Sequence, residues 1–214
     1  HVIHGHKHVP PEHRGASIAI GNFDGVHRGH RALIREAKAK AREKGTASAA
    51  MIFEPHPREF FQPNEVQFRL TTLNRKLEIF EKLGLDLVFV EPFDADLAAL
   101  PGEAFIERVL VAGLGAAHVV IGYDFYFGHK RGGNPELLVR SGEELGFGVT
   151  VMPPIAEDGA VFSSSSVRLH LAQGDVKGAT HMLGEAWRVS GRVIGGAKRG
   201  TGMGYPTANI PMPK

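Results

Sequence analysis

The sequence predicts an α/β protein built on a parallel sheet with helices on both faces. Three observations lead there: short apolar runs alternate with helix-favouring segments; each run is continuously apolar, not alternating; and each is bounded by Gly, Pro or Asp/Asn turns. In order, residues 16–21 form a small apolar run ending in Gly21, and residues 32–44 make a helix closed by Gly45. Strand 47–53, helix 73–83, strand 87–90 and helix 102–112 follow, then strand 119–122, helix 135–145 and strand 148–152. Two short helices are expected at 165–173 and 175–183, the first preceded by a Ser cluster able to cap it. From about Trp187 the character changes: residues 188–194 read as a strand and residues 195–204 are dense in glycine. Binding sites in open parallel sheets lie at the carboxyl ends of the strands, so the loops after these strands are where chemistry is expected.

The chain has 214 residues, of which 43% are hydrophobic, enough for one substantial core plus part of another module. The division expected is residues 1–184 for a complete domain and residues 185–214 for the incomplete beginning of a second. With 25 basic against 23 acidic residues the net charge is +2, which argues against the long-range field of a nucleic-acid binder. Cysteine is absent, so disulfides, thiolate nucleophiles and cysteine-ligated zinc are excluded, and a reducing cytoplasmic setting is the expectation. No apolar run reaches the roughly 18–20 residues of a membrane helix, so no membrane partner is expected, while oligomerisation stays open.

The sharpest motif is Gly21-Asn22-Phe23-Asp24-Gly25-Val26-His27-Arg28-Gly29-His30, between the first of these runs and the first helix. It is neither a P-loop nor the dinucleotide fingerprint. Its glycines admit a close backbone approach, and a helix start presents free N–H groups to an anion. His27 and His30, three residues apart, share one side of the first turn, where they are able to hydrogen-bond phosphate and offset charge developing there. The alternatives are a zinc pair lacking a third nearby ligand, and a purely structural capping turn.

This string resembles the nucleotide-binding signature of the nucleotidylyltransferase superfamily, and in its fuller form the bacterial FAD synthetase family, whose members are bifunctional riboflavin kinases and FMN adenylyltransferases. Three further segments agree in order: Phe53-Glu54-Pro55-His56-Pro57; Ile121 to Gly128 with Arg131-Gly132-Gly133; and Ser163-Ser164-Ser165-Ser166-Val167-Arg168, where Ser165 stands in place of the more usual Thr. The resemblance covers residues 16–184 and implies a Rossmann-like doubly wound sheet of the nucleotidylyltransferase type.

What it further implies is transfer of AMP from ATP to FMN, giving FAD and pyrophosphate, with Mg²⁺. By resemblance His27, His30, Asp124 and Arg168 are the catalytic set. Gly21, Asn22, Phe23, Asp24 and Gly29, with Ser163, Ser164 and Ser165, join His27, His30 and Arg168 around ATP. His56, Pro57, Asp124 and Arg131 face the flavin or its phosphate. Such a transfer needs positioning and charge stabilisation rather than a side-chain nucleophile. Each residue also has a plainer role open to it: the Ser run as a helix cap, His56 as a stiffener between prolines, Asp124 as an acceptor for backbone donors, Arg131 as a solvated loop residue. Phe60, Phe61 and Phe68 are candidates for the flavin ring or for packing.

The tail, Gly191-Arg192-Val193-Ile194-Gly195 through Gly204-Tyr205-Pro206-Thr207-Ala208-Asn209, resembles the first part of the β-barrel of riboflavin kinase. The resemblance implies that Thr207 and Asn209 hold Mg²⁺ and ATP phosphate, and that riboflavin is a substrate of the complete protein only. Two other readings remain at this stage: a nucleotidylyltransferase with another phosphorylated acceptor, such as pantetheine phosphate or nicotinate mononucleotide, and a flavin- or nucleotide-binding module without turnover. The N-terminal His1, His4, His6 and His8 are read as an extended lead-in to the first strand, with a transition-metal site as the alternative.

Overall fold

In the computed structural model, residues 1–65, 68–196, 199–205 and 207–210 are described. Six parallel strands form one sheet: β1 (Val2–His4), β2 (Ser17–Ile20), β3 (Ser48–Glu54), β4 (Leu87–Pro92), β5 (His118–Gly122) and β6 (Gly148–Met152). Their spatial order is β1-β4-β3-β2-β5-β6, each neighbouring pair running parallel. The chain therefore winds outward in one direction from β2 to β4, then returns to the other side of β2 with β5 and β6. This reversal opens a crevice between the carboxyl ends of β2 and β5, the place where open α/β sheets bind ligands.

The apolar strands are explained by two cores, one on each face of the sheet. Ile18, Ile20, Met51, Phe89 and Ile121 point to one face, where they meet Phe105, Val109, Leu110 and Leu138. Ala19, Ala50, Ile52, Val88, Val90 and Val120 point to the other, packing under Ile34, Ala37, Ile79 and Phe80. Helices α1 (Arg28–Lys44) and α3 (Leu73–Lys82) cover the second face. The first is covered by α6 (Pro135–Leu145) and by the helix that opens as Gly102–Phe105 and continues over Ile106–Gly113 with wider π-type turns. A smaller cluster of Leu70, Phe162, Val167, Ala179, Met182 and Leu183 seats the helix pair Ser164–Ala172 and Val176–Leu183 over the loop after β2.

Two expectations are corrected. The N-terminal lead-in forms a strand of its own: β1 adds to the sheet edge beside β4, with Ile3 opposite Phe89. Beyond it His6 Nδ1 lies 2.6 Å from Glu91 Oε1, so this histidine is tied to a buried carboxylate. Residues 188–194 do not form the expected strand. A strand needs a ladder of partners, and the pairing found among the described residues is a single antiparallel bridge, Ile194 to Asn209. Pro206 and residues 211–214 lie outside the described residues. Among the described residues no helix is long and apolar enough to cross a membrane.

The loop after β5 is pinned by close glycine packing. Gly128 has φ of 72°, and a Cβ there would sit 2.7 Å from the backbone nitrogen of Gly102. Gly45, with φ of 66°, has open space where its Cβ would be. Gly128→Ala is expected to cost about 3 kcal/mol in urea unfolding, through backbone strain plus overpacking, and Gly45→Ala about 1 kcal/mol through strain alone. Equal losses would contradict this packing.

Candidate active site

A cleft of about 780 Å³ opens over the carboxyl ends of the strands, within the range of small-ligand sites. One wall is the loop from β2 into α1. Its path is forced: Phe23 and Val26, both fully buried, take left-handed φ values of 49° and 44°, and Gly25 has φ of 84°. Non-glycine residues hold such a conformation only when their surroundings over-determine it. The surroundings here are polar as well as apolar. The buried Asp24 carboxylate accepts from the backbone N–H of Leu70 at 3.0 Å and of Thr71 at 3.1 Å. The Arg168 guanidinium pairs with its other oxygen. The Gly25 N–H donates to Thr71 Oγ1 at 2.9 Å, and Ser164 Oγ donates to the Asp24 carbonyl at 2.8 Å.

This loop places the two histidines. His27 is the N-cap of α1, its Nδ1 accepting the His30 backbone N–H at 3.4 Å, and the two rings stack with centroids 3.6 Å apart. Burial pushes the His27 pKa down from 6.5 to about 4, against the pull of Asp24. Burial, then the neighbouring His27 and Lys76, holds His30 well below the usual range too. Both rings are therefore neutral near pH 7. Because His27 Nδ1 accepts a hydrogen bond, its proton sits on Nε2, which is left as a donor. His30 Nδ1 is buried without a hydrogen-bond partner among the described residues, a polar atom left for a ligand to satisfy.

The opposite wall is the start of the helix Ser164–Ala172. Ser163 caps it by accepting from Ser166 N–H at 3.1 Å, which leaves Ser164 for the Asp24 carbonyl and Ser165 exposed at the cleft. Arg168, one turn on, also donates through Nε to the Phe68 carbonyl at 3.0 Å. Thus Gly21, Asn22, Asp24, His27, Gly29, His30, Ser163, Ser164, Ser165 and Arg168 line one cleft, as the motifs suggested. Phe23 does not; it is wholly buried, its ring 5.0 Å from His30 and 5.4 Å from Phe80, where it supports the histidine from behind.

At the other end of the cleft, His56 caps the short helix Pro57–Phe61 by accepting from Arg58 N–H at 3.1 Å. Burial lowers its pKa. His56, Pro57, Asp124 and Arg131 all line the cleft, with Phe61, Phe93, Tyr123 and Tyr126 supplying aromatic walls. The Arg131 guanidinium lies 5.0 Å from the Tyr126 ring centroid. Of the three phenylalanines considered, Phe61 faces the cleft, Phe60 packs on Phe61 and Phe93, and Phe68 packs on Trp187. Thr207 and Asn209 are exposed in the tail and are not part of this cleft. Among the described residues no group of three or more His, Cys, Asp or Glu is placed to hold a metal.

Sequence reasoning missed the charged layer beneath the cleft. Lys76 of α3 is buried, its pKa lowered by that burial while Asp24, Glu54 and Glu59 oppose the shift. Arg69 pairs with Glu59 and, at 2.7 Å, with Glu54. Glu54 stands in one of the motif strings, but Glu59, Arg69 and Lys76 follow no motif spacing, so only the fold reveals how these charges pair.

The depressed pKa of His27 has a sign. Between pH 6.5 and about 4 the unfolded chain binds a proton that folded His27 refuses, so stability present above pH 6.5 is lost as pH falls. In urea unfolding, the parent chain is expected to lose about 2 kcal/mol more than His27→Asn between pH 7 and 4.5. Identical losses would contradict the burial of a neutral ring.

Comparison with known proteins shows the family. A family profile described as FAD synthetase matches residues 9–166, and one described as riboflavin kinase matches residues 183–214. The chain is 41% identical over 209 residues to the bifunctional riboflavin kinase/FMN adenylyltransferase of Pseudomonas fluorescens, covering 98% of this chain and 67% of that protein. It is 40% identical over 210 residues to the protein of the same name from Escherichia coli (strain K12), covering 98% and 66%. It thus spans about two thirds of the length of these relatives. A crystal structure of a macrolide-efflux protein from Streptococcus pneumoniae superposes with a TM-score of 0.81 at 25% identity, over 99% of this chain and 69% of that one. With the switch-point cleft, the paired histidines and the family match over most of its length, the chain belongs to the FAD synthetase family.

Proposed function

We propose that the chain transfers AMP from ATP to FMN, giving FAD and pyrophosphate. The observation that carries this reading is the cleft itself: neutral His27 and His30 with Arg168 at one end, and an aromatic wall of Phe61, Phe93, Tyr123 and Tyr126 at the other. A phosphate oxygen of FMN attacks the α-phosphorus of ATP, the bond to the β-phosphate oxygen breaks, and pyrophosphate leaves. The protein's contribution is alignment and charge stabilisation. Neutral imidazole N–H groups donate to the phosphate chain, Arg168 supplies the fixed cation, and Ser165 a hydroxyl. Asp24 is engaged by Arg168 and two amides, whereas Asp124 lies exposed at the cleft. One open carboxylate suits Mg²⁺ arriving on the phosphates of ATP rather than a dedicated protein cage.

We assign residues 1–184 to this transfer domain and residues 185–214 to the beginning of a riboflavin kinase module, with riboflavin phosphorylation an activity of the longer protein. Thr207 and Asn209 are its proposed Mg²⁺ and ATP contacts. The activities for which the relatives are named, small soluble substrates and the absence of cysteine support placing this chemistry in the cytoplasm.

The test is pyrophosphate release with MgATP and a panel of acceptors. FMN is expected to react and riboflavin is not, since only FMN carries the attacking phosphate. His30→Ala is expected to lower turnover by about 10²-fold or more, the usual worth of one preorganised donor at developing charge. Turnover with riboflavin, or full activity of a folded His30→Ala chain, would overturn the assignment.

A further inference from the structure

We infer that the segment following the last helix of the transfer domain belongs to its machinery: Trp187 and Glu185 are positioning residues for the phosphate-binding loop. The inference rests on reading the cleft as an adenylyl-transfer site.

Segments between modules usually make few contacts, but this one is tied to the loop after β2 by two separate routes. On the first, the Trp187 indole N–H donates to the Leu70 carbonyl at 3.0 Å and its ring lies 5.7 Å from that of Phe68. Phe68 and Leu70 belong to the very segment that positions Asp24 and Arg168. The Leu70 N–H donates to Asp24 at 3.0 Å, and the Phe68 carbonyl accepts from Arg168 at 3.0 Å. On the second, the Glu185 carboxylate takes Arg31 at 3.1 Å and Arg75 at 3.2 Å. Arg31 Nε in turn donates to the carbonyl of Val26 at 3.1 Å, one of the two buried residues held at positive φ.

Each end of the strained loop is thereby braced from outside the transfer domain's own motifs. Trp187 is half-buried, and an indole packed on a ring with its N–H satisfied is a stiff anchor. Braces of this kind are needed where backbone strain must persist. The coupling is reciprocal: whatever moves Arg168 or Asp24 on nucleotide binding moves the segment carrying Phe68 and Leu70, and so the surroundings of Trp187.

The chain contains a single tryptophan, so emission excited at the red edge, beyond tyrosine absorption, reads this contact alone. MgATP titrated into the 214-residue chain is expected to change Trp187 emission saturably, with the midpoint that calorimetry gives for the same titration. Heat of binding with unchanged emission overturns the inference and leaves the functional reading standing; no heat at all overturns both. In steady-state assays, Trp187→Ala is expected to lower kcat about tenfold or more through misplacement of the phosphate loop, with KM for FMN unchanged. Trp187→Phe keeps the ring on Phe68 and removes only the N–H, so it is expected to fold and to fall between parent and Ala. A kcat for Trp187→Phe equal to the parent's, together with silent emission, removes the positioning role.

Discussion

The structure depends on one buried carboxylate. Asp24 gathers two backbone N–H groups from residues 70–71 and the guanidinium of Arg168, so three segments far apart in sequence meet at a single side chain. A carboxylate taken out of water is tolerable only when its lone pairs are filled, and here they are filled by the elements that frame the cleft. Removing any donor leaves the charge buried and short of partners, which is the costly half of breaking such a pair. The knot therefore explains why Phe23 and Val26 stay in left-handed backbone conformations, and why the two histidines keep their stacked geometry at the start of α1.

Neutrality of those histidines follows from the same burial. In the proposed transfer, charged imidazoles would bind phosphate more strongly before reaction as well as during it, whereas neutral N–H donors in a partly desolvated cleft would respond chiefly to charge that builds up. On the proposed function the fixed positive charge comes instead from Arg168, whose position is set by Asp24 and the Phe68 carbonyl. The division of labour is between two donors without net charge and one cation that cannot lose its proton. The aromatic residues at the far end add a surface for a flat apolar ring without adding charge.

The sheet and the loop after β2 were legible in the sequence because their signals are local. Continuous apolar runs announce strands buried on both faces, and the string from Gly21 to His30 carries its turn glycines and both imidazoles within ten positions. The cap at Ser163 and the helix behind it were legible for the same reason. What stayed hidden depends on pairs distant in sequence. His6 meets Glu91 across 85 positions, Arg168 meets Asp24 across 144, and Trp187 meets Leu70 across 117. The resemblance put both Arg168 and Asp24 at the site but not the ion pair between them. The edge strand β1 was read as lead-in because three residues among histidines carry no periodicity, and its strand form comes entirely from pairing with β4. The converse error, the strand expected at 188–194, arose from β-favouring residues whose described surroundings offer only one bridge.

The central claim, that the Asp24–Arg168 pair organises the phosphate end of the cleft, is tested most directly by a double-mutant cycle on MgATP affinity. Asp24→Asn, Arg168→Gln and the double variant would be measured by calorimetry against the parent. A coupling energy of about 1 kcal/mol or more is expected, because each residue's contribution to binding passes through the other. Effects that add to within about 0.5 kcal/mol would contradict it, and would mean that the two residues meet in space without sharing a function.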